Sequence, residues 1–318
     1  MKIIYGEKPT ETTKEFVKYY QKSGQEIIYL QELSSDEQDM ALAEAECLIV
    51  ATFPVTREFL AKMPKLKLVQ RAGIGLDNVD MVAASEKGIH VCNTPGVNAV
   101  SVAEMTIGMI LGLFRKIPLL DRATKDGQWL MWEYRPEMFE MQGKVHGILG
   151  MGNVGKEVAK RSAAFGTKIL YTNMEPLSAE EEAMYNAKFS NLEEILEKSD
   201  IISVHVPLLP STRNLIGEEE IAKMKPTAVL VNVARGNIID EAAVAKALQE
   251  GRLLGAGFDA FAAEPPEADN PLKNCPNAIL TPHVAGGTRD VLEAGIARCV
   301  ENAYRLSEGE KPLHICNG

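Results

Sequence analysis

The stretch Gly143–Glu175, GKVHGILGMGNVGKEVAKRSAAFGTKILYTNME, decides how the rest of the chain is read. Val145–Leu149 is a short apolar run of the kind that lies buried on both faces of a parallel sheet. It leads directly into Gly150, Gly152 and Gly155, spaced G-x-G-x-x-G. A helical pattern follows, Gly166 closes it, and Ile169–Tyr171 begins a second strand. In such a turn Gly150 permits the tight bend, Gly152 lets the backbone approach a pyrophosphate, and Gly155 lets the helix lie close on the strand. The free N–H groups and dipole of the helix start then attract phosphate. A bare G-x-G-x-x-G also occurs in ordinary glycine-rich turns; the strand before, the helix after and the second strand on time favour dinucleotide binding.

The end of the second strand ordinarily carries an Asp or Glu that holds the adenosine ribose. Here the slot falls on Asn173, with Glu175 two residues on and no Arg or Lys between Tyr171 and Glu175. Asn can hydrogen-bond a ribose hydroxyl but does not repel a 2′-phosphate, whereas Glu175 would. The reading is NAD, with NADP left open; Asn173 as a plain turn residue also stays open.

Outward from this unit, strands and helices alternate. Strands are expected at Lys2–Tyr5, Ile27–Leu30, Cys47–Ala51, Leu66–Gln70 and Ile89–Cys92, with helices at Thr13–Lys22, Ser35–Glu46 and Asn78–Glu86. A loop at Asn93–Ala99 forms a boundary before a long helix at Val100–Arg115. Beyond the nucleotide unit the pattern predicts helices at Leu192–Lys198, Glu218–Met224, Glu241–Glu250 and Thr288–Glu308. It predicts strands at Ile201–Val206, Ala228–Val233, Leu254–Phe258 and Ala278–Leu280. This alternation implies an α/β protein with two doubly wound parallel-sheet domains.

At 318 residues the chain is long for a single core. The net charge of −10 argues against nucleic acid as a partner, because a phosphate backbone needs a basic face. Five cysteines, an odd number without a C-x-x-C pair, speak against disulfides and zinc and fit a reducing cytoplasm; no metal is expected. The N-terminus lacks a signal-peptide core, and Met105–Phe114 is too short to span a bilayer, so no membrane association is expected.

Functional groups of such a sheet follow its strand ends. Arg235 follows one strand in VNVARGNIID, Asp259 and Glu264 another in GFDAFAAEPP, and His283 a third in TPHVAGGT. Reducing a ketone with hydride creates an alkoxide that needs a proton donor, and histidine suits that near neutral pH. A carboxylate beside it fixes the ring, and an arginine grips a substrate carboxylate with two parallel hydrogen bonds. Each residue alone has a bland reading, as a sheet-edge group, a solvated turn or a surface histidine; their joint position downstream of a nucleotide motif favours function. His205 reads as an adenine-pocket or structural group, and His90, His146 and His314 as structural.

At these residues the chain resembles the D-isomer-specific 2-hydroxyacid dehydrogenase family. The resemblance spans QRAGIGLDNVD (70–80), NTPGVNAVSVAE (93–104), the G-x-W at 127–129, HVPLLPSTRNLIG (205–217) and the segments above. It implies a Rossmann nucleotide-binding domain over 100–286 and a flavodoxin-like substrate domain over 1–99 and 287–318, to which a last strand returns. It implies an enzyme that interconverts a small 2-oxo acid and a D-2-hydroxy acid. His283 would be its general acid/base, Glu264 the support of the histidine, and Arg235 the substrate-orienting group. Gly73, Ile74 and Gly75 would hold the substrate carboxylate with Arg235 and His283. Gly152, Asn153 and Val154 would face the pyrophosphate, with Gly150 and Gly155 completing the cofactor-binding loop. Asn173, Pro207, Thr212, Val233, Ala234 and Gly286 would line the remaining cofactor path, and Asp259 would hold the nicotinamide amide.

The helix from Val100 implies a homodimer. Trp129, Met131, Trp132 and Tyr134 would pack at the dimer seam or wall off large substrates. Within the family RAGIGLDNVD resembles D-3-phosphoglycerate dehydrogenases, without room for an appended regulatory domain, while hydroxypyruvate and glyoxylate reductases share the catalytic set. Two alternatives remain: a nucleotide-sensing corepressor of the same fold, and a phosphite- or formate-oxidising relative. The formate reading is weakened because those enzymes carry Gln where this chain has Glu264.

Overall fold

The computed structural model describes residues 1–318 and divides them into two units, Met1–Asn98 with Thr288–Gly318, and Ala99–Gly287. Ala99 and Gly287 therefore belong to the second unit rather than the first.

The first unit opens with β1 (Lys2–Tyr5), α1 (Glu11–Tyr20), β2 (Glu26–Tyr29), α2 (Ser35–Glu44) and β3 (Cys47–Val50). It continues through α3 (Arg57–Ala61), β4 (Leu68–Arg71), α4 (Met81–Glu86) and β5 (His90–Cys92). Side-chain caps set several helix starts. Thr10 accepts from the Thr13 amide at 3.1 Å, so α1 starts at Glu11, two residues earlier than its periodicity suggests. Asp80 accepts from the Ala83 amide at 2.8 Å, so α4 starts at Met81 and Asn78 is left in the preceding loop. The five strands are parallel in the order β2-β1-β3-β4-β5. The order reverses between β1 and β3, the point where an open sheet of this kind receives ligands at its carboxyl edge.

The second unit begins with α5 (Ala99–Phe114), α6 (Ile117–Lys125), β6 (Val145–Leu149), α7 (Asn153–Ala164), β7 (Lys168–Thr172), α8 (Ala179–Tyr185) and β8 (Ala187–Phe189). It continues through α9 (Leu192–Lys198), β9 (Ile201–Val204), α10 (Glu218–Lys223), β10 (Val229–Asn232), α11 (Glu241–Gln249), β11 (Gly255–Phe258) and β12 (Ala278–Leu280). All seven strands are parallel, in the order β12-β11-β10-β9-β6-β7-β8. The switch point lies between β6 and β9. β9 and β10 are buried along their whole length, as a sheet covered on both faces requires. The α6, α8 and β8 elements have no counterpart in the sequence reading.

The chain returns to the first unit through helix α12 (Arg289–Ser307), capped by Thr288, and not through a strand. Its buried Cys299 and Ala303 pack with Ile3, Tyr5 and Ile49. Beyond it Ile315 makes only an isolated antiparallel bridge to Cys92. All five cysteines are free thiols. No helix is long and apolar enough to cross a membrane.

Candidate active site

Three loops leave the carboxyl ends of the adjacent strands β10, β11 and β12, and they carry Arg235, Asp259 with Glu264, and His283. The imidazole Nδ1 of His283 lies 2.8 and 2.9 Å from the two carboxylate oxygens of Glu264. Both side chains stay partly open to solvent. With Nδ1–H donating to Glu264, Nε2 is the ring nitrogen that the pair leaves unengaged and chemically able to carry a proton. Glu264 is itself held by the Phe261 amide at 3.1 Å. Its loop is tied to α11 by Glu241, which accepts from the Ala262 amide and from Asn270 Nδ2, each at 2.6 Å.

His283 has φ of +54°, in the left-handed region that costs a non-glycine residue about 1–2 kcal/mol. The buried carboxylate of Asp259 holds it there. Thr281 Oγ1 donates to it at 2.6 Å, and the Val284 and Ala285 amides each donate at 2.8 Å. Three donors from the loop that carries the histidine thus engage Asp259, the residue read from the sequence as a nicotinamide ligand.

Arg235 is set by Asn232, a residue the sequence reading passes over. Asn232 is buried at the end of β10; its Nδ2 donates to the Arg235 carbonyl at 2.8 Å and its Oδ1 accepts from the Ala234 amide at 3.1 Å. A polar residue closing the apolar run VLVN was the available signal. Gly236 comes next, and a Cβ there would strike the Phe261 carbonyl, so the arginine loop and the Glu264 loop touch backbone to backbone.

The nucleotide end fits the dinucleotide. Gly150 has φ of +99°, and a Cβ on it would stand 2.9 Å from the His205 carbonyl. A Cβ on Gly155 would strike the Gly150 carbonyl oxygen, whereas one on Gly152 would meet nothing within 4 Å. α7 begins at Asn153 with Gly152 as N-cap and no side-chain cap, leaving first-turn amides for a phosphate. Asn173 Oδ1 accepts from the Met151 amide at 2.7 Å, so this side chain braces the glycine loop as well as standing at the ribose slot. Thr212 Oγ1 donates to the Pro207 carbonyl at 2.6 Å and accepts from the Leu209 amide at 2.8 Å, which closes the 207–212 turn. Val233 is nearly buried beside Ala234. Ala285, next to Gly286, accepts from Ser101 Oγ at 2.6 Å.

His146 and His205 are linked under this loop. His146 is fully buried between Ser162 Oγ and Ser203 Oγ, each at 2.8 Å, and Ser203 also meets His205 Nε2 at 2.8 Å. Burial lowers both imidazoles to about 3. His205 Nδ1 is buried without a partner.

In the first unit, Gly73 and Ile74 direct their carbonyls to the Thr94 amide (3.0 Å) and Asn93 Nδ2 (2.9 Å).

Residues 107–285 match the family model described as D-isomer specific 2-hydroxyacid dehydrogenase, NAD binding domain. The chain belongs to this family. It is 38% identical over 288 residues to a D-3-phosphoglycerate dehydrogenase of Methanocaldococcus jannaschii, covering 90% of this chain and 54% of that protein. It is also 38% identical over 272 residues to a glyoxylate reductase of Thermofilum pendens, covering 85% of this chain and 80% of that protein. The chain thus spans about half the length of the former relative and most of the latter. A solved D-lactate dehydrogenase with NAD+ from Lactobacillus jensenii superposes with a TM-score of 0.85 at 27% identity, over 99% of each chain. The family match makes residues 107–285 an NAD-binding domain, and the glycine loop, α7 and the Asn173 brace are the parts of this chain that fit it.

Proposed function

We propose that the protein reduces a small 2-oxo acid to the D-2-hydroxy acid and catalyses the reverse oxidation, with NAD preferred over NADP. The observation that carries this reading is the Glu264–His283 pair, with Nδ1 engaged and Nε2 left for the proton. The bound nicotinamide supplies or accepts hydride. His283 gives the proton to the developing alkoxide, Glu264 sustains the imidazolium, and Arg235 orients the substrate carboxylate. The backbone amides of 73–75 receive that carboxylate. Asn173 with Glu175 beyond it supports the cofactor preference. The exposed Trp129 (77%), Met131 and Trp132 support self-association as a homodimer.

A panel of glyoxylate, hydroxypyruvate and pyruvate with each reduced nicotinamide tests the activity. Turnover is expected with at least one acid, NADH being the better cofactor. His283→Ala should lose roughly 10²–10⁴-fold in kcat while NADH binding, read by fluorescence, survives. No turnover with any acid refutes the reading, and near-normal turnover in the variant removes His283 from the mechanism.

A further inference from the structure

The switch point of the five-stranded sheet lies between β1 and β3, and the loops that leave these strands form an anion nest that is already filled. Three successive amides, those of Ala51, Thr52 and Phe53, donate to one atom, Glu7 Oε1, at 2.5, 2.6 and 2.8 Å. Consecutive N–H groups converging in this way make a seat for a negative charge. Glu7 Oε2 is buried and has no hydrogen-bond partner. The carboxylate therefore places one fully satisfied oxygen, one buried unpartnered oxygen and a negative charge at the ligand-receiving edge of the sheet.

This seat is wired to the substrate-carboxylate loop. The Ala72 amide donates to the Val50 carbonyl at 2.7 Å, which places the start of that loop beside the nest. Asn78 Nδ2 donates to the Phe53 carbonyl at 2.7 Å, and its Oδ1 accepts from Arg71 Nε at 3.3 Å. The Arg71 guanidinium packs against Gly73, where a Cβ would strike it. The Cys299 thiol, pushed up to about 12 first by burial, feels both the Arg71 and the Glu7 charges.

We propose that Glu7 is a specificity-determining residue: its carboxylate fills the anion nest at the β1–β3 switch point and excludes 2-oxo acids with a second anionic group, such as a phosphate. The inference rests on the 2-oxo acid reading above and narrows its substrate class to monoanions whose far end is neutral. A fixed like charge a few ångströms from a second anionic group repels it strongly enough to discriminate about tenfold or more.

The test compares kcat/KM for hydroxypyruvate and for 3-phosphonooxypyruvate. In the unaltered protein the phosphorylated acid should be at least about tenfold poorer. Glu7→Gln keeps an oxygen for the three amides and removes the charge, so the ratio should move toward the phosphorylated acid by about tenfold. Glu7→Asp keeps the charge and should keep the ratio, while a merely structural role for Glu7 would lower both substrates together. Three results overturn the proposal: a native ratio near one, a Gln variant with the native ratio, or an Asp variant that shifts it as far as Gln does. If the unaltered protein turns over neither these acids nor glyoxylate or pyruvate, the 2-oxo acid reading itself fails and takes the proposal with it; turnover with an unchanged ratio sinks the proposal alone.

Discussion

Replacing His146 with Gln should change how stability responds to acid. The imidazole is carried by the second residue of β6 and has no solvent exposure, and burial, with a smaller push from His205, lowers its pKa from 6.5 to about 3. Between these values the unfolded chain binds a proton at His146 that the folded chain does not. The stability this residue contributes is therefore complete above pH 6.5 and is lost progressively as pH falls toward 3. At pH 5 the deficit is one and a half pH units at 1.36 kcal/mol each, or about 2 kcal/mol. Protonation would also leave a ring with two donors and no acceptor between Ser162 and Ser203.

For a unit the size of Ala99–Gly287, about 2 kcal/mol corresponds to a Tm shift of roughly 4–8 °C. Scanning calorimetry of the native protein and His146→Gln at pH 7 and pH 5 measures it. Gln retains a donor and an acceptor for the two hydroxyls and cannot titrate, so its transition should fall between the two pH values by about 4–8 °C less than that of the native protein. His205 titrates in both proteins and largely cancels. Parallel pH responses, or an NMR titration of His146 near its ordinary value, would refute the reasoning.

Two further outcomes follow from the site. Asp259→Asn turns an acceptor toward three donors into a mixed group, so unit Ala99–Gly287 should lose about 3 kcal/mol and turnover should drop more than NADH affinity, read by thermal melting and by single-turnover kinetics; unchanged melting would show that the loop does not depend on the carboxylate. Gly155→Ala drives a methyl onto the Gly150 carbonyl and to 3.3 Å from Ile148, so α7 must withdraw and NADH should bind at least about tenfold more weakly in a fluorescence titration, with native affinity counting against the close helix–strand contact.

How far the sequence could be read depended on whether a group's partners lie near it along the chain. Gly150, Gly152 and Gly155 answer to one local turn, and Val145–Leu149 and Leu192–Lys198 are found where the apolar pattern puts them. The acidic α8 and the three-residue edge strand β8 carry too little apolar periodicity to be seen, and α6 starts after the left-handed Lys116, a change of direction without a sequence mark. Arg235, Glu264 and His283 were visible as strand-end residues, but the pairing of Glu264 with His283 spans nineteen residues and came from resemblance rather than from spacing. Glu7 lies beyond both routes. Its donors are backbone amides 44 to 46 residues away, and a backbone amide has no letter in the sequence. Groups that recognise substrate through main-chain geometry will be missed wherever residue types are read alone. The amides of 73–75 would have been missed in the same way without the resemblance that pointed to them.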